Sequence, residues 1–272
     1  MFRLGLLRLC TSLALSFVFL QSTLAAPPQT VASSPQAVTF LQKSLVALVG
    51  NASISDVTLS GSARHIAGSL DESGTITLRA LATGESRLDL DLPSGARSET
   101  STNSLSGPVG AWRGADQVAR AIPQHNLWSD SSWFFPEFTL GRWLGPGYSI
   151  TYIGHETWNG QEVEHLSAVR QFQVSGAPAG WSPEALQHLT INHIYLDSST
   201  LLPVGIAFDL HPDHNQTIAI PVEILLSDYR NQGGVLVPFH IQKLFNNGLD
   251  LDIQISAVNL NAGLSATLFS VQ

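Results

Sequence analysis

The chain has 272 residues, 44 % of them hydrophobic and only 12 % charged, with 21 acidic against 13 basic side chains and a formal net charge of −8. A surface of that sign repels polyanions, so nucleic acid and anionic membrane surfaces are poor partners. Cys10 is the single cysteine, which excludes disulfides, thiolate metal sites and cysteine nucleophiles from the rest of the chain.

Met1 to Ala26 reads as a secretory signal peptide. Arg3 and Arg8 supply the positive start, Leu9 to Leu20 is an apolar run interrupted by Thr11, Ser12 and Ser16, and Thr23-Leu24-Ala25-Ala26 offers cleavage after Ala25 or Ala26. The run falls short of the ~20 apolar residues that span a bilayer, so cleavage is expected rather than a retained anchor. Leu9 and Arg8 precede Cys10 where a lipidated cysteine needs a small residue, so no lipid anchor is expected either. Cleavage takes the basic count from 13 to 11 against 21 acidic side chains, a net charge of −10, and removes Cys10. A secreted animal domain would more often use disulfides, so a bacterial envelope, periplasmic or secreted, is the expected location.

Pro27 to Ser34 is a polar, proline-rich tether, and residues 35–272 are expected to form one domain. Val38, Leu41, Leu45 and Leu48 then recur at helical spacing, with Ser33 or Ser34 to cap the helix and Gly50 to end it. From Ile54 the period becomes two. Ile76, Leu78, Ala80 and Ala82 alternate with Thr75, Thr77, Arg79 and Leu81, and Leu88, Leu90 and Leu92 alternate with Arg87, Asp89 and Asp91. Asp71-Glu72-Ser73-Gly74 and Thr83-Gly84 read as turns of an antiparallel meander. Gly114 to Ile122 reads as a short helix.

Trp128, Trp133, Phe134, Phe135 and Phe138 fall within eleven residues, around Ser129-Asp130-Ser131-Ser132. This stretch has two readings: rings that fill the domain's own core, or a mobile lid over an apolar face. Strands resume at Tyr148, Ile150 and Tyr152. Asn159-Gly160 marks a tight hairpin returning along Val163 to Phe172, and Ser182-Pro183-Glu184 opens a helical turn. Further strands are predicted over Thr190–Leu196, Val204–Leu210, Thr217–Ser227, Val235–Phe245 and Leu249–Leu260. About 10–12 antiparallel strands cannot stay flat. Such a sheet curls, splits in two or closes; the expected fold is mainly β with helices (α+β), a strongly curved antiparallel sheet whose concave apolar face is covered by the N-terminal helix and the mid-chain aromatic insert.

Catalytic signatures are missing. There is no Gly-x-Ser-x-Gly elbow and no phosphate or dinucleotide loop, and His155-Glu156 lacks the second zinc-protease histidine because Asn159 stands in its place. His211-Pro212-Asp213-His214-Asn215 has metal-ligand chemistry, but Pro, Asp and Asn are equally what a turn demands. Asp89/Asp91 and Asp250/Asp252 have the strand spacing of a glycosidase pair, yet alternation places them opposite the leucines, on a solvated face. No catalytic residue, metal site or cofactor is expected.

Tyr152-Ile153-Gly154-His155-Glu156-Thr157-Trp158-Asn159-Gly160 with His165-Leu166 reads as a strand, a Gly turn and an apolar return; Tyr195-Leu196-Asp197-Ser198-Ser199-Thr200-Leu201-Leu202-Pro203 as a step between neighbouring strands; and Asp228-Tyr229-Arg230-Asn231-Gln232-Gly233-Gly234-Val235-Leu236-Val237-Pro238-Phe239 as a Tyr-Arg end, a Gly turn and a Pro-Phe restart. Together these three segments resemble the periplasmic lipoprotein-carrier superfamily, the LolA/LolB-like half-barrels and their outer-membrane lipoprotein-sorting relatives. The resemblance implies a curved sheet around an apolar cavity, and a lipid or lipidated protein as partner, without stable membrane insertion. Read together with the alternation, it nominates Leu78, Leu88, Leu90, Ile150, Tyr152, Ile206, Phe208, Leu251 and Ile253 as cavity residues, with Trp133 and Phe134 as lid. The rival reading is a structural or interaction module whose cavity is its own core. An outer-membrane barrel and a hydrolase are further, weaker alternatives.

Overall fold

The structure is a computed structural model that describes residues 32–104, 107–129, 132–172 and 182–271. The signal segment and most of the tether lie outside the described residues. The tether's last residues are tied down: the Ser34 N–H donates to the Ile150 carbonyl at 2.7 Å, and the Ile150 N–H donates to the Ser33 hydroxyl at 3.1 Å.

Helix α1 spans Pro35–Val49. The Ser34 hydroxyl accepts from the Ala37 N–H at 3.4 Å, and Gly50, at φ 54°, donates to the Val46 carbonyl at 2.8 Å, so both ends are capped as the sequence dictates. Ala37, Leu41, Ser44 and Leu48 form its buried face.

Among the described residues thirteen strands make one antiparallel sheet. The first meander is β1 (Asp56–Ala67), β2 (Leu70–Leu81), β3 (Ser86–Leu92), β4 (Gly95–Ser104), β5 (Gly107–Arg113) and β6 (Ala119–Ala121). The second is β7 (Tyr148–Trp158), β8 (Gln161–Arg170), β9 (Asn192–Asp197), β10 (Pro203–Leu210), β11 (Ile220–Gln232), β12 (Val235–Phe245) and β13 (Gly248–Leu260). Their spatial order is β6-β5-β4-β3-β2-β1-β13-β12-β11-β10-β9-β8-β7. The first and last strands therefore pair in the middle of the sheet, and β6 and β7 are its two free edges. A sheet of that size, twisted at each step, curls rather than lying flat. It does not close into a barrel, and the result is a curved half-barrel.

That topology fixes the place of the aromatic insert. The chain leaves β6 at one edge and must re-enter at β7 on the other, so residues 122–147 have to cross the open side. They do so through a short 3-10 turn, Gln124–Trp128, and helix α2, Pro136–Trp143. Helix α3, Pro183–His188, connects β8 to β9 and is capped by the Ser182 hydroxyl, which accepts from the Ala185 N–H at 3.1 Å.

Several local expectations are corrected. Asp71-Glu72-Ser73-Gly74 is not a turn but the start of β2; the turn lies at Gly68-Ser69. Gly74 serves close approach, because a Cβ there would stand 1.9 Å from the Asp91 carbonyl oxygen on β3. Gly114 to Ile122 is a turn leading into β6 rather than a helix. Gln117 takes φ 59°, and Asp116 accepts from the Val118 N–H at 3.1 Å, a local turn that competes with helix. The strand count rises to thirteen because β4, β5 and β6, poor in apolar side chains, carry little alternation.

Candidate functional site: the concave face and its aromatic insert

The strand registers line up the inward side chains into continuous rows. Leu59, Leu78 and Leu88 are direct neighbours across β1, β2 and β3. Tyr152, Leu166, Ile194, Ile206 and Ile224 run in one row from β7 to β11, and Ala63, Ile253 and Ile241 run from β1 through β13 to β12. Leu78, Leu90, Ile150, Ile206, Phe208, Leu251 and Ile253 are buried in a single apolar cluster, with Leu88 and Tyr152 half-buried at its margin. Trp133 and Phe134 belong to the same cluster. The structure thus brings together every residue nominated from the sequence.

The insert occupies the concavity. Phe135 and Trp143 are 0 % and 1 % exposed, and Trp133, Phe134, Phe138 and Leu140 are also buried against the sheet. Trp133 meets Phe134 edge-on at 5.5 Å, and Phe135 meets Phe138 edge-on at 4.8 Å, the arrangement that aromatic quadrupoles favour. Helix α1 lies over the same body, packing on α2, β7 and β12, and its Phe40 stacks on Tyr152 at 5.3 Å. Trp128 stands apart: it packs with Leu186, Leu189 and Phe172 in a small second cluster.

Polar groups are embedded in this apolar body. Glu137, in the first turn of α2, is 4 % exposed, and neither carboxyl oxygen has a hydrogen-bond partner among the described residues. Burial pushes its carboxyl up to about 8, against the lowering effect of its own backbone N–H. The Tyr229 phenol on β11, raised by burial and then by the charge of Glu137, donates to the Pro203 carbonyl at 2.7 Å. The Ser44 and Ser129 hydroxyls also lack a partner among the described residues. Sequence reading passed over Glu137; its single signal was an acid set between phenylalanines.

Where the insert spans from edge to edge it leaves a groove of about 300 Å³, lined by Ser101, Asn103, Trp128, Arg142, Tyr148 and Arg170 among others. Gly145-Pro146-Gly147 forms part of its wall, at the point where the insert rejoins β7.

The other candidates have structural duties. His211 is buried, its Nδ1 is 2.9 Å from the Ile218 carbonyl, and its backbone exchanges hydrogen bonds with Asn126, so the His-Pro-Asp-His-Asn stretch is a turn stitched to the insert. Asp89 pairs with Arg79 and Arg87, while Asp91 is exposed. A bulge beside Lys243 turns Asp250 toward Lys243, at 3.5 Å, whereas Asp252 pairs with His240 at 2.8 Å. Asp250 and Asp252 thus serve different partners, and Asp89 is committed to its two arginines. On β7, β8 and β9 lies a cluster the sequence did not flag: Glu156 is 2.8 Å from His165, which is 2.8 Å from His193, and Trp158 lies flat on Tyr195 at 4.1 Å. Among the described residues no group of three or more His, Cys, Asp or Glu could hold a metal ion, and no helix is long and apolar enough to cross a membrane.

No protein-family model and no curated protein matches the sequence. Solved structures do match the fold. An outer membrane lipoprotein-sorting protein domain from Vibrio parahaemolyticus superposes with a TM-score of 0.52 at 10 % identity, over 86 % of this chain and 96 % of that one. A DUF1329 family protein from Desulfovibrio piger superposes with a TM-score of 0.52 at 13 % identity, over 89 % and 100 %. A LolA superfamily protein from Nitrosomonas europaea is similar at a TM-score of 0.46 and 12 % identity, over 86 % and 97 %. The chain shares the fold of the Vibrio lipoprotein-sorting protein domain and of the Desulfovibrio protein.

Proposed function

We propose that this protein is a non-enzymatic carrier of the bacterial envelope that holds a lipid or a lipoprotein acyl chain in the concavity of its half-barrel. The shared fold supports the reading, as does the name of the Vibrio structure, a lipoprotein-sorting domain. The exported start read from the sequence supports the location, and the acidic composition disfavours nucleic acid.

One observation carries the proposal. The concave face is lined by continuous apolar rows, and beside helix α1 its cover is a crossing segment whose rings pack where an apolar chain would lie. In this reading the structure is the closed, unloaded form, and Trp133, Phe134, Phe135 and Phe138 act as a plug that cargo displaces. Binding then follows buried area, at about 0.8 kcal/mol for each methylene transferred out of water, with little demand for directed bonds.

The same burial favours one rival reading, a structural or interaction module whose core is simply self-filled. Native mass spectrometry after mild, detergent-free purification separates the two. A carrier is expected to show co-purifying lipid, or to take up a C16 fatty acid stoichiometrically; protein that stays clean and takes up none sinks the carrier reading.

A further inference from the structure

We propose that Glu137 is a proton-coupled latch: protonated, its carboxyl lets the aromatic insert close on the concave face, and ionised, it drives the insert off. The inference rests on the carrier reading, in which the insert is the part that moves.

The geometry is unusual for a carboxyl. Glu137 sits at the start of α2, a helix whose Phe138 and Leu140 are buried as well, is 4 % exposed, and has no hydrogen-bond partner for either oxygen among the described residues. An ionised carboxylate left without partners in such a place is heavily penalised, so the closed form selects the neutral acid. Titratable groups on the surrounding elements do not offset this. Tyr229 approaches from β11 but commits its hydroxyl to Pro203. Tyr152 on β7 commits its hydroxyl to Glu164 at 2.6 Å. Lys43 on α1 is exposed, Arg142 at the far end of α2 donates to the Ser132 hydroxyl at 2.8 Å, and Lys243 on β12 pairs with Asp250. The Tyr229 phenol registers the charge of Glu137.

The linkage has a definite sign. With the insert open, Glu137 meets water and titrates near the ordinary carboxylate value of 4.5; closed, burial raises it to about 8. Between those limits the open form carries one proton fewer, so opening is favoured about tenfold for each unit of rising pH, levelling off once the closed form also ionises. The insert is therefore held most firmly in acid and released toward neutral and alkaline pH.

The test is hydrogen exchange of the purified protein between pH 5 and 9, corrected for intrinsic exchange rates, with the amides of β12 and β13 as the reference for global unfolding. The expected result is a Trp133–Trp143 opening equilibrium that rises about tenfold per pH unit up to about pH 8 and then flattens. Glu137→Gln, neutral at every pH, should remove the slope and keep the insert closed; should it not fold, Glu137→Met is expected to do the same. A flat wild-type profile, or a slope surviving in either variant, overturns the latch. Fatty-acid uptake at fixed pH reads the carrier hypothesis separately. A pH-dependent insert that takes up no lipid upholds the latch and sinks the carrier, while lipid uptake with a flat opening profile sinks the latch alone.

Discussion

The Lys243 ammonium, on β12, stands 5.6 Å from the ring centroid of Trp133 in the aromatic insert. It is the only basic side chain over a ring of the plug among the described contacts, and Asp250, displaced by the neighbouring bulge, holds it there at 3.5 Å. A cation over an indole face contributes about 0.5–1 kcal/mol where it remains partly hydrated. A double-mutant cycle of Lys243→Met and Trp133→Leu, read by urea unfolding, should return a coupling of that size. A coupling of zero would mean that the rim does not pin the plug.

Trp133 itself fills space that nothing else occupies. Trp133→Ala should lower the unfolding free energy by about 3–5 kcal/mol, the usual loss for truncating a buried tryptophan. The same variant should bind a fluorescent fatty acid more tightly than wild type, because part of the plug is already gone. A weaker affinity for the probe would show that the ring is wall rather than occupant.

Away from the concave face, Trp158 lies directly on Gly205. A Cβ at that position would come within 2.2 Å of the indole, so the ring packs on bare backbone of β10 while stacking on Tyr195. Gly205→Ala should cost about 1–3 kcal/mol by overpacking. In a Trp158→Ala background the same change should be close to neutral, and persistence of the full penalty there would refute the contact as its cause.

Acid sensitivity should centre on Asp197. Burial alone would raise its carboxyl, but hydrogen bonds from Ser199, Gln161 and Thr200 outweigh it and hold the group well below the usual carboxylate range. A group depressed in the folded state stabilises above its unfolded pKa of about 3.9, and that stabilisation is lost as pH falls through the lower folded value. Asp197→Asn should therefore be less stable than wild type at neutral pH, with the gap closing below about pH 4 in urea titrations. A gap that stays constant with pH would remove ionisation from the explanation.

Legibility in the sequence followed alternation. The strands of β11 to β13 alternate cleanly, and the Asn159-Gly160 hairpin, at φ 48° and 80°, was readable from two residues. The stretch from Gly95 to Arg113 was not, because Ser, Thr and Gly dominate it and its pairing depends on β3 and on the insert. Asp116 and Arg120 mimic a helical pair at i, i+4 while bridging a turn, ion-paired at 2.6 Å. The buried side of each cleanly alternating strand was legible, since period two decides it. The insert's role as a cover was expected from its rings, but its path was not legible, because it follows from topology: only the pairing of β1 with β13 makes β6 and β7 the edges that the insert must join. Glu137 was missed for the same reason, since nothing local says that its neighbours are buried.

The central claim is that an acyl chain enters the half-barrel and displaces the insert. A C16 fatty acid carrying a diazirine at mid-chain, photolysed on the protein and mapped by peptide mass spectrometry, reads it most directly. The account expects adducts on inward residues such as Ile206, Phe208, Leu251 and Ile253, with fewer of them when unlabelled lipid competes. Adducts confined to the outer face around Trp158 and Tyr195, or none that competition removes, would contradict it.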